Sequence, residues 1–275
     1  MTATEPASRR TAGAGAAKVA VVGLAAGGLA GIFGVGGGLL MVPALVLVLS
    51  MGQRLAHGTS LAAIVPIAVA GVAGYALDGK VDWAVALFLV VGSAGVGARL
   101  GTRLLAVLPQ RVLALVFALV LLATAARMVL GDADPPGRVD LTTGTAMALV
   151  LVGVLAGTTA GLLGVGGGVI MVPAMVVLLG VPAAVAKGSS LAVIIPTAVV
   201  GTAANLRRRN ADLRTAAIVG LSGVVSSFAA SQVAVGLDER LSNRLFAALL
   251  AVVGGKMVWD SRRPGHEPAA SGLGT

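Results

Sequence analysis

The chain has 275 residues, of which 57% are hydrophobic and only 11% are charged, and its mean hydropathy is +0.99. Soluble domains average about 45–50% apolar and about 25% charged residues, so this composition excludes a soluble protein and indicates an integral membrane protein. The net charge of +9 does not indicate nucleic-acid binding, because the basic residues lie in short loops at the ends of apolar runs, as the positive-inside rule predicts.

Missing residue types exclude several kinds of site. The chain has no cysteine, so it forms no disulfide and no thiolate metal site. His57 and His266 are too few and too far apart for a metal cluster. No Asp or Glu lies inside an apolar run, which disfavours proton coupling through a buried acid and leaves no catalytic carboxylate in the membrane. We therefore expect neither an enzyme nor a cofactor.

The first apolar run, residues 19–50, follows a polar and basic segment, 1–17. It is too long for the apolar core of a signal peptide, which has about 7–15 residues. As one helix it would measure about 48 Å, too long for a single straight crossing. The glycines at 36–38 and Pro43 predict a break that leaves two half-length helices. These form either a re-entrant hairpin or two tilted segments that return to the starting side.

Seven more apolar runs follow, and they lack the alternation of polar and apolar residues that a β-barrel needs. They cover residues 60–77, 83–98, 112–130, 143–179, 190–206, 215–235 and 245–259. Breaker residues, including Pro-Pro, separate the fourth run from the fifth. We expect an all-α, polytopic membrane protein. Its segments are a tail (1–17), a first membrane repeat (18–130), a linker (131–141), a second repeat (142–260) and a C-terminal tail (261–275).

The sequence repeats itself with a shift of 130 residues. Residues 31–44 and 161–174 are identical at 10 of 14 positions, and residues 58–66 match 188–196 at the same shift. Equivalent breaks in two related halves indicate a transporter binding site between repeats. Inverted halves would place 14 of the 20 basic residues on the cytoplasmic side and parallel halves 13, so the positive-inside rule slightly favours inversion.

The two Gly-Val-Gly-Gly-Gly segments have two interpretations. They are not a phosphate-binding loop, since no Gly-Lys-Ser/Thr follows. Small residues of this kind allow close packing of membrane helices. Alternatively, they unwind the helix near the midplane and free the N–H groups that open the next segment, at Leu39 and Val169, where an anion would bind. We favour the second, because the clusters occupy equivalent positions in the two halves.

Polar residues close to these runs are ambiguous. Thr59-Ser60 and Ser189-Ser190 either cap the helices they begin or add donors to an anion at the glycine breaks. For His57 and Lys187, which are equivalent by the repeat, an ordinary loop charge is favoured over a role in attracting the anion. Asp82 and Asp212 are best explained as helix caps.

In both copies the pattern Gly-x-x-Gly-x-Gly-Gly-Gly-x-x-x-Val-Pro is followed by Gly-[Thr/Ser]-Ser-Leu. In these motifs, and over residues 18–260, the sequence resembles the sulfite exporter TauE/SafE family of membrane permeases. The resemblance implies transport of sulfite, sulfonates or other sulfur-containing anions. The site residues that it implies are Gly36, Gly37, Gly38, Pro43, Thr59, Ser60, Gly166, Gly167, Gly168, Pro173, Ser189 and Ser190.

We therefore expect a multi-pass permease of the cytoplasmic membrane that moves a small, sulfur-containing anion by alternating access between two repeats. Its expected partners are the anionic solute and membrane lipid, with no nucleic acid. Faces rich in Ala and Gly could support a homodimer. Two alternatives stay open: a membrane scaffold in which the glycines only pack helices, and a transporter of an unrelated small solute.

Overall fold

The computed structural model describes residues 7–97, 118–119, 121–126, 129, 141–163 and 166–262. The elements in these residues are helices with no strand, which confirms the all-α part of the predicted fold class. Five segments in them are long and apolar enough to cross a membrane: Gly15–Phe33, Gln53–Leu77, Thr143–Ala160, Ala183–Arg207 and Leu213–Gly236. Most of the predicted run 112–130, the linker and the C-terminal tail lie outside the described residues.

Nine helices with defined bounds lie in the described part of the chain. They are α1 (Ala7–Phe33), α2 (Gly38–Leu49), α3 (Gln53–Leu77), α4 (Trp83–Val90), α5 (Thr143–Leu163), α6 (Gly168–Leu179), α7 (Ala183–Arg207), α8 (Leu213–Gly236) and α9 (Glu239–Arg262). A π-helical segment, Val91–Gly97, continues α4. Helices α3 and α7 both begin seven residues before the apolar runs that predict them, so the polar residues ahead of those runs are helical.

Helices α1 and α8 run parallel in close contact through glycine. The residue numbers of the contacting pairs increase in the same direction along both helices. The pairs are Gly23 with Val219, Gly27 with Gly223 and Gly31 with Ser227. A Cβ added to Gly27 would lie 2.7 Å from the Cα of Gly223, closer than real side chains approach. Helix α5 packs in the same way on the π-helical segment that continues α4, where a Cβ on Gly153 would lie 3.1 Å from the Cα of Gly92. Small residues are what allow membrane helices to approach this closely.

Helices α3 and α7 lie antiparallel. Leu61, near the start of α3, contacts Gly201 near the end of α7, and Leu191, near the start of α7, contacts Gly71 farther along α3. This register sets the proline inside α3, Pro66, opposite the proline inside α7, Pro196.

Buried apolar side chains in the described residues form two clusters. The first joins α1, α2 and α3 with residues of α7 and α8. The second joins α4, α5, α6 and α9 with other residues of α7. Each cluster therefore mixes elements from both halves of the sequence: α8 of the second half packs with the first three helices, and α4 of the first half packs with α5 and α6.

Candidate functional site

The two glycine segments form turns between helices. Helix α1 ends at Phe33 and α2 begins at Gly38, and between them Gly36 and Gly37 have φ of 80° and 72°. In the second half Gly166 and Gly167 have φ of 83° and 80°, and α6 begins at Gly168. This left-handed backbone costs a residue with a side chain about 1–2 kcal/mol, which explains glycine at these positions.

Each turn presents the start of a helix. The first hydrogen bonds of α2 run from the N–H groups of Leu40 and Met41 to the carbonyl of Gly37, at 3.2 and 3.1 Å. The N–H groups of Gly38 and Leu39 therefore precede the hydrogen-bonded ladder of the helix. Helix α6 begins in the same way on the carbonyl of Gly167. Neither N-cap glycine supplies a side-chain cap.

The two turns meet in the structure. A Cβ on Gly36 would lie 3.1 Å from Cδ1 of Ile194, and a Cβ on Gly166 would lie 3.2 Å from Cγ2 of the same side chain. Gly168 is also close to the first turn, because a Cβ there would lie 2.8 Å from the Cα of Val35. The glycine segments of the two halves, which the sequence predicts as parts of one site, are thus neighbours, and Ile194 lies between them.

Carbonyl groups on the α1 side of the first turn are bonded within the protein. The hydroxyl of Tyr75, which is fully buried, donates to the carbonyl of Gly31 at 2.8 Å. Ser190 Oγ donates to the carbonyl of Gly34 at 3.0 Å. The carbonyls of Gly31 and Gly34 thus have protein partners, whereas on the α2 side the N–H groups of Gly38 and Leu39 precede the hydrogen-bonded ladder of the helix.

Thr59, Ser60, Ser189 and Ser190 are all completely buried. They are the seventh and eighth residues of α3 and α7, whose N-caps are Gly52 and Pro182. The interpretation that these hydroxyls cap the helices they begin is therefore wrong, because the polar residues ahead of them are already helical.

Two of these hydroxyls instead hold the starts of other helices. Thr59 Oγ1 accepts a hydrogen bond from the backbone N–H of Asp212 at 2.9 Å. Ser189 Oγ accepts one from the N–H of Asp82 at 2.8 Å. Each bond links the second run of one half to the third run of the other half, and the two bonds are equivalent by the 130-residue shift. Of the two serines that follow, Ser190 contacts the first glycine turn.

Asp82 and Asp212 are N-caps of α4 and α8, as the sequence analysis expects. Asp82 Oδ1 accepts from the N–H groups two and three residues later, at 3.0 and 3.1 Å. Asp212 Oδ1 does the same at 2.9 and 3.2 Å, and Thr215 Oγ1 donates to Oδ2 at 2.6 Å. The hydrogen bond from Thr215 is the main reason that the pKa of Asp212 is lowered.

The two prolines differ in their surroundings. Pro43 lies inside α2 and is exposed, whereas Pro173 lies inside α6 and is buried. Neither has an N–H to give to the carbonyl four residues earlier, which weakens the helix just after each turn.

The prediction of ordinary loop charges is wrong for both His57 and Lys187, because they lie inside helices α3 and α7. Lys187 is only 1% exposed. Its Nζ donates to Ser242 Oγ at 2.8 Å and lies 5.4 Å from the centre of the Phe246 ring. The only signal in the sequence was its position directly before Gly188-Ser189-Ser190.

Three curated bacterial proteins similar to this chain are each described as a probable membrane transporter protein. The one from Xylella fastidiosa (strain 9a5c) is 28% identical over 251 residues, covering 88% of this chain and 95% of its own length. YunE of Bacillus subtilis (strain 168) is 31% identical over 103 residues, 38% of this chain and 37% of its own length. The Haemophilus influenzae protein is 32% identical over 164 residues, 56% and 60% of the two chains. No solved structure matches significantly.

The sequence profile described as sulfite exporter TauE/SafE matches residues 2–128 and 149–274, which is most of the chain. The five candidate membrane spans of this chain agree with that match. The chain belongs to the sulfite exporter TauE/SafE family.

Proposed function

We propose that this protein is a permease of the cytoplasmic membrane that moves a small anion, either a sulfur oxyanion or a sulfonate. The observation that carries the proposal is the meeting of the two glycine turns at Ile194. Each turn delivers the N-terminus of a short helix, α2 or α6, to one place in the molecule. Helix N-termini favour anions, and the name of the family points to sulfite.

The helix pairing supports an origin of the two halves as inverted repeats. Helices α3 and α7 are equivalent by the 130-residue shift, and they run antiparallel with Pro66 opposite Pro196. The bonds from Thr59 to Asp212 and from Ser189 to Asp82 are related in the same way. Transporters with inverted repeats place the substrate near the midplane, where interrupted helices meet.

The two apolar clusters are the natural rigid bodies for alternating access. One contains α1, α2, α3 and α8, and the other contains α4, α5, α6 and α9. Helix α7 contributes side chains to both. The moving units are therefore not the sequence repeats themselves, because α4 and α8 have exchanged sides, and rocking would occur along the contact of α3 with α7.

The substrate site that we propose is smaller than the set of residues expected from the sequence. Its backbone donors come from Gly36, Gly37, Gly38, Gly166, Gly167 and Gly168. Ser190 is the adjacent hydroxyl, and Ser60 is its equivalent by the 130-residue shift. Thr59 and Ser189 hold the starts of α8 and α4. Pro43 and Pro173 shape α2 and α6.

One observation favours the alternative, a scaffold in which the glycines only pack helices. The side chain of Ile194 fills the space between the turns. For a transporter this is a closed arrangement from which Ile194 moves when substrate enters. For a scaffold the same contact is permanent packing.

Uptake by proteoliposomes tests the function. The purified protein would be given labelled sulfite, thiosulfate, sulfate and methanesulfonate, with and without an imposed proton gradient. We expect saturable uptake of at least one sulfur anion, competed by the others. Absence of saturable uptake of all four, in protein shown to be folded and inserted, would contradict the proposal.

A further inference from the structure

We infer that Lys187, held by Ser242, supplies the positive charge that neutralises the anion inside the protein. The inference rests on the proposed function and adds to it the requirement that the substrate carry a negative charge. It assigns a role to a side chain that the glycine turns do not need for their own geometry.

Burial of this ammonium group is costly unless a negative charge compensates it. Lys187 is 1% exposed and lies in the second turn of a candidate membrane span. Buried lysines are rare, and an ionisable residue within a membrane helix is by default a functional candidate. The ammonium has three N–H donors, and Ser242 Oγ accepts one of them at 2.8 Å.

Within the described residues, the contacts of the ammonium are with neutral groups. In the described part of the chain, the groups found at Nζ are the hydroxyl of Ser242 and the face of the Phe246 ring. The apolar runs contain no Asp or Glu, so the membrane-spanning sequence offers no carboxylate to pair with it. A ring face and a hydroxyl stabilise a cation only partly.

Lys187 is adjacent to the first glycine turn. A Cβ on Gly34 would lie 2.5 Å from the Cα of Lys187, so the two backbones touch. One turn farther along α7, Ser190 bonds the carbonyl of Gly34. The Phe246 ring beneath the ammonium stacks on Phe33, the last residue of α1, with ring centres 6.0 Å apart. The backbone of Lys187 and the ring that its ammonium contacts therefore both lie against the end of α1, next to the first glycine turn.

The charge is present on one side only. By the 130-residue shift Lys187 corresponds to His57. In the last run of each half the shift is 129, as Phe117 and Phe246 show, so Ser242 corresponds to Leu113. Backbone donors come from both halves, whereas the lysine and its hydroxyl partner come from the second half alone. One positive charge suits one negative charge on the ligand, as in a sulfonate.

The test compares a sulfonate with a neutral molecule of the same shape. Thermal unfolding of the full-length protein in detergent would be followed with methanesulfonate, sulfite or thiosulfate, and with dimethyl sulfone as the uncharged analogue. We expect the anions to raise the unfolding midpoint and dimethyl sulfone to leave it unchanged. If none of the anions acts on the wild type and none is taken up by proteoliposomes, the proposed function itself fails.

Variants that change the charge at residue 187 distinguish the role of Lys187 from the proposed permease function. In Lys187→Gln the anion-induced shift should vanish and the KM for uptake should rise about tenfold or more, whereas Lys187→Arg should retain much of both. Without anion, Lys187→Gln should unfold at the same temperature as the wild type or higher, because an uncompensated buried charge is gone. Lys18→Gln, which removes an exposed lysine, is the control and should change neither quantity.

A second variant keeps the test decisive if Lys187→Gln does not insert. Ser242→Asp places a carboxylate beside the ammonium of Lys187, and the resulting ion pair should preserve the fold. Because the positive charge is then neutralised within the protein, the anion should no longer raise the unfolding midpoint. A wild-type anion response that is unchanged in folded Lys187→Gln, or in Ser242→Asp when only that variant folds, would overturn the inference and leave the proposed permease intact.

Discussion

Gly36 and Gly166 are 130 residues apart in the chain, yet both lie against the side chain of Ile194. Ile194 therefore contacts both halves of the chain, in each case at the glycine turn that separates two helices. Because Ile194 belongs to α7, which contributes to both apolar clusters, it is placed to respond when the clusters move relative to each other.

Shortening Ile194 should widen the site. We expect Ile194→Ala to lower the free energy of unfolding by about 2–4 kcal/mol and to raise uptake of a bulkier sulfonate, such as benzenesulfonate, several-fold relative to methanesulfonate. The measurement is the ratio of kcat/KM for the two substrates in proteoliposomes.

Leu191→Ala is the matched control for this substitution, since Leu191 is as buried as Ile194 but contacts Gly71. It should lose stability without a change in the substrate ratio. Equal ratios in both variants would favour the packing interpretation of Ile194.

Packing of α1 on α8 should depend on Gly27 and not on its neighbour. A larger side chain at Gly27 meets the backbone of Gly223, whereas nothing lies within 4 Å of a Cβ at Gly28. We expect Gly27→Leu to cost about 1–3 kcal/mol or more by overpacking and to reduce sharply the monodisperse protein recovered from membranes. Gly28→Leu should be recovered in wild-type amounts, and similar losses in both would show that helix pairing differs from that described.

Thr59 and Ser189 should matter for stability more than for binding. Thr59→Val and Ser189→Ala each leave a backbone N–H without its acceptor, at Asp212 and Asp82, which should cost about 1 kcal/mol apiece. Thermal unfolding would show the loss, and the KM for the anion should stay within about twofold. Thr159→Val, which removes a hydroxyl that donates to carbonyls of its own helix, is the control. A large rise in KM at unchanged stability would place the two hydroxyls on the substrate.

Stability should depend on pH through the cap of α8. Because the hydrogen bond from Thr215 lowers the pKa of Asp212, the charged carboxylate stabilises the folded state above its unfolded pKa, about 3.9. That contribution is lost as the pH falls through the folded value. Thr215→Val should therefore lower the unfolding midpoint near neutral pH, and the difference from wild type should close in acid. Thr145→Val, whose hydroxyl bonds that of Thr142 in the described part of the chain, should show no such closing.

Composition and the repeat predicted the helical class, and the glycine cluster marked the place where α1 ends and α2 begins. The starts of α3 and α7 could not be predicted from hydropathy, because residues such as Gln53 and His57 are polar although helical. Their place in the helix follows from tertiary contacts: Gly58 packs against Asn210, in the loop that follows the end of the antiparallel helix α7.

The sequence also could not predict that α4 and α8 pack with helices of the other half, because this depends on which glycine-containing helix faces contact each other. Gly23 and Gly27 could serve any close partner, and only the fold selects Val219 and Gly223. The burial of Lys187 was hidden for a related reason, because its ammonium is covered by Ser242 and Phe246, more than fifty residues later in the chain.

The most direct measurement of the central claim is anion uptake in proteoliposomes by a double variant of the turns, Gly37→Ala with Gly167→Ala. Both glycines have left-handed backbone, and a Cβ on either would press on a carbonyl, of Ala26 or of Ala156. Gly52→Ala is the control, because Gly52 has a φ of −59° and open space around it. We predict that saturable sulfur-anion uptake falls at least tenfold in the folded double variant and persists in Gly52→Ala. Wild-type uptake by the folded, inserted double variant would contradict a substrate site at the glycine turns.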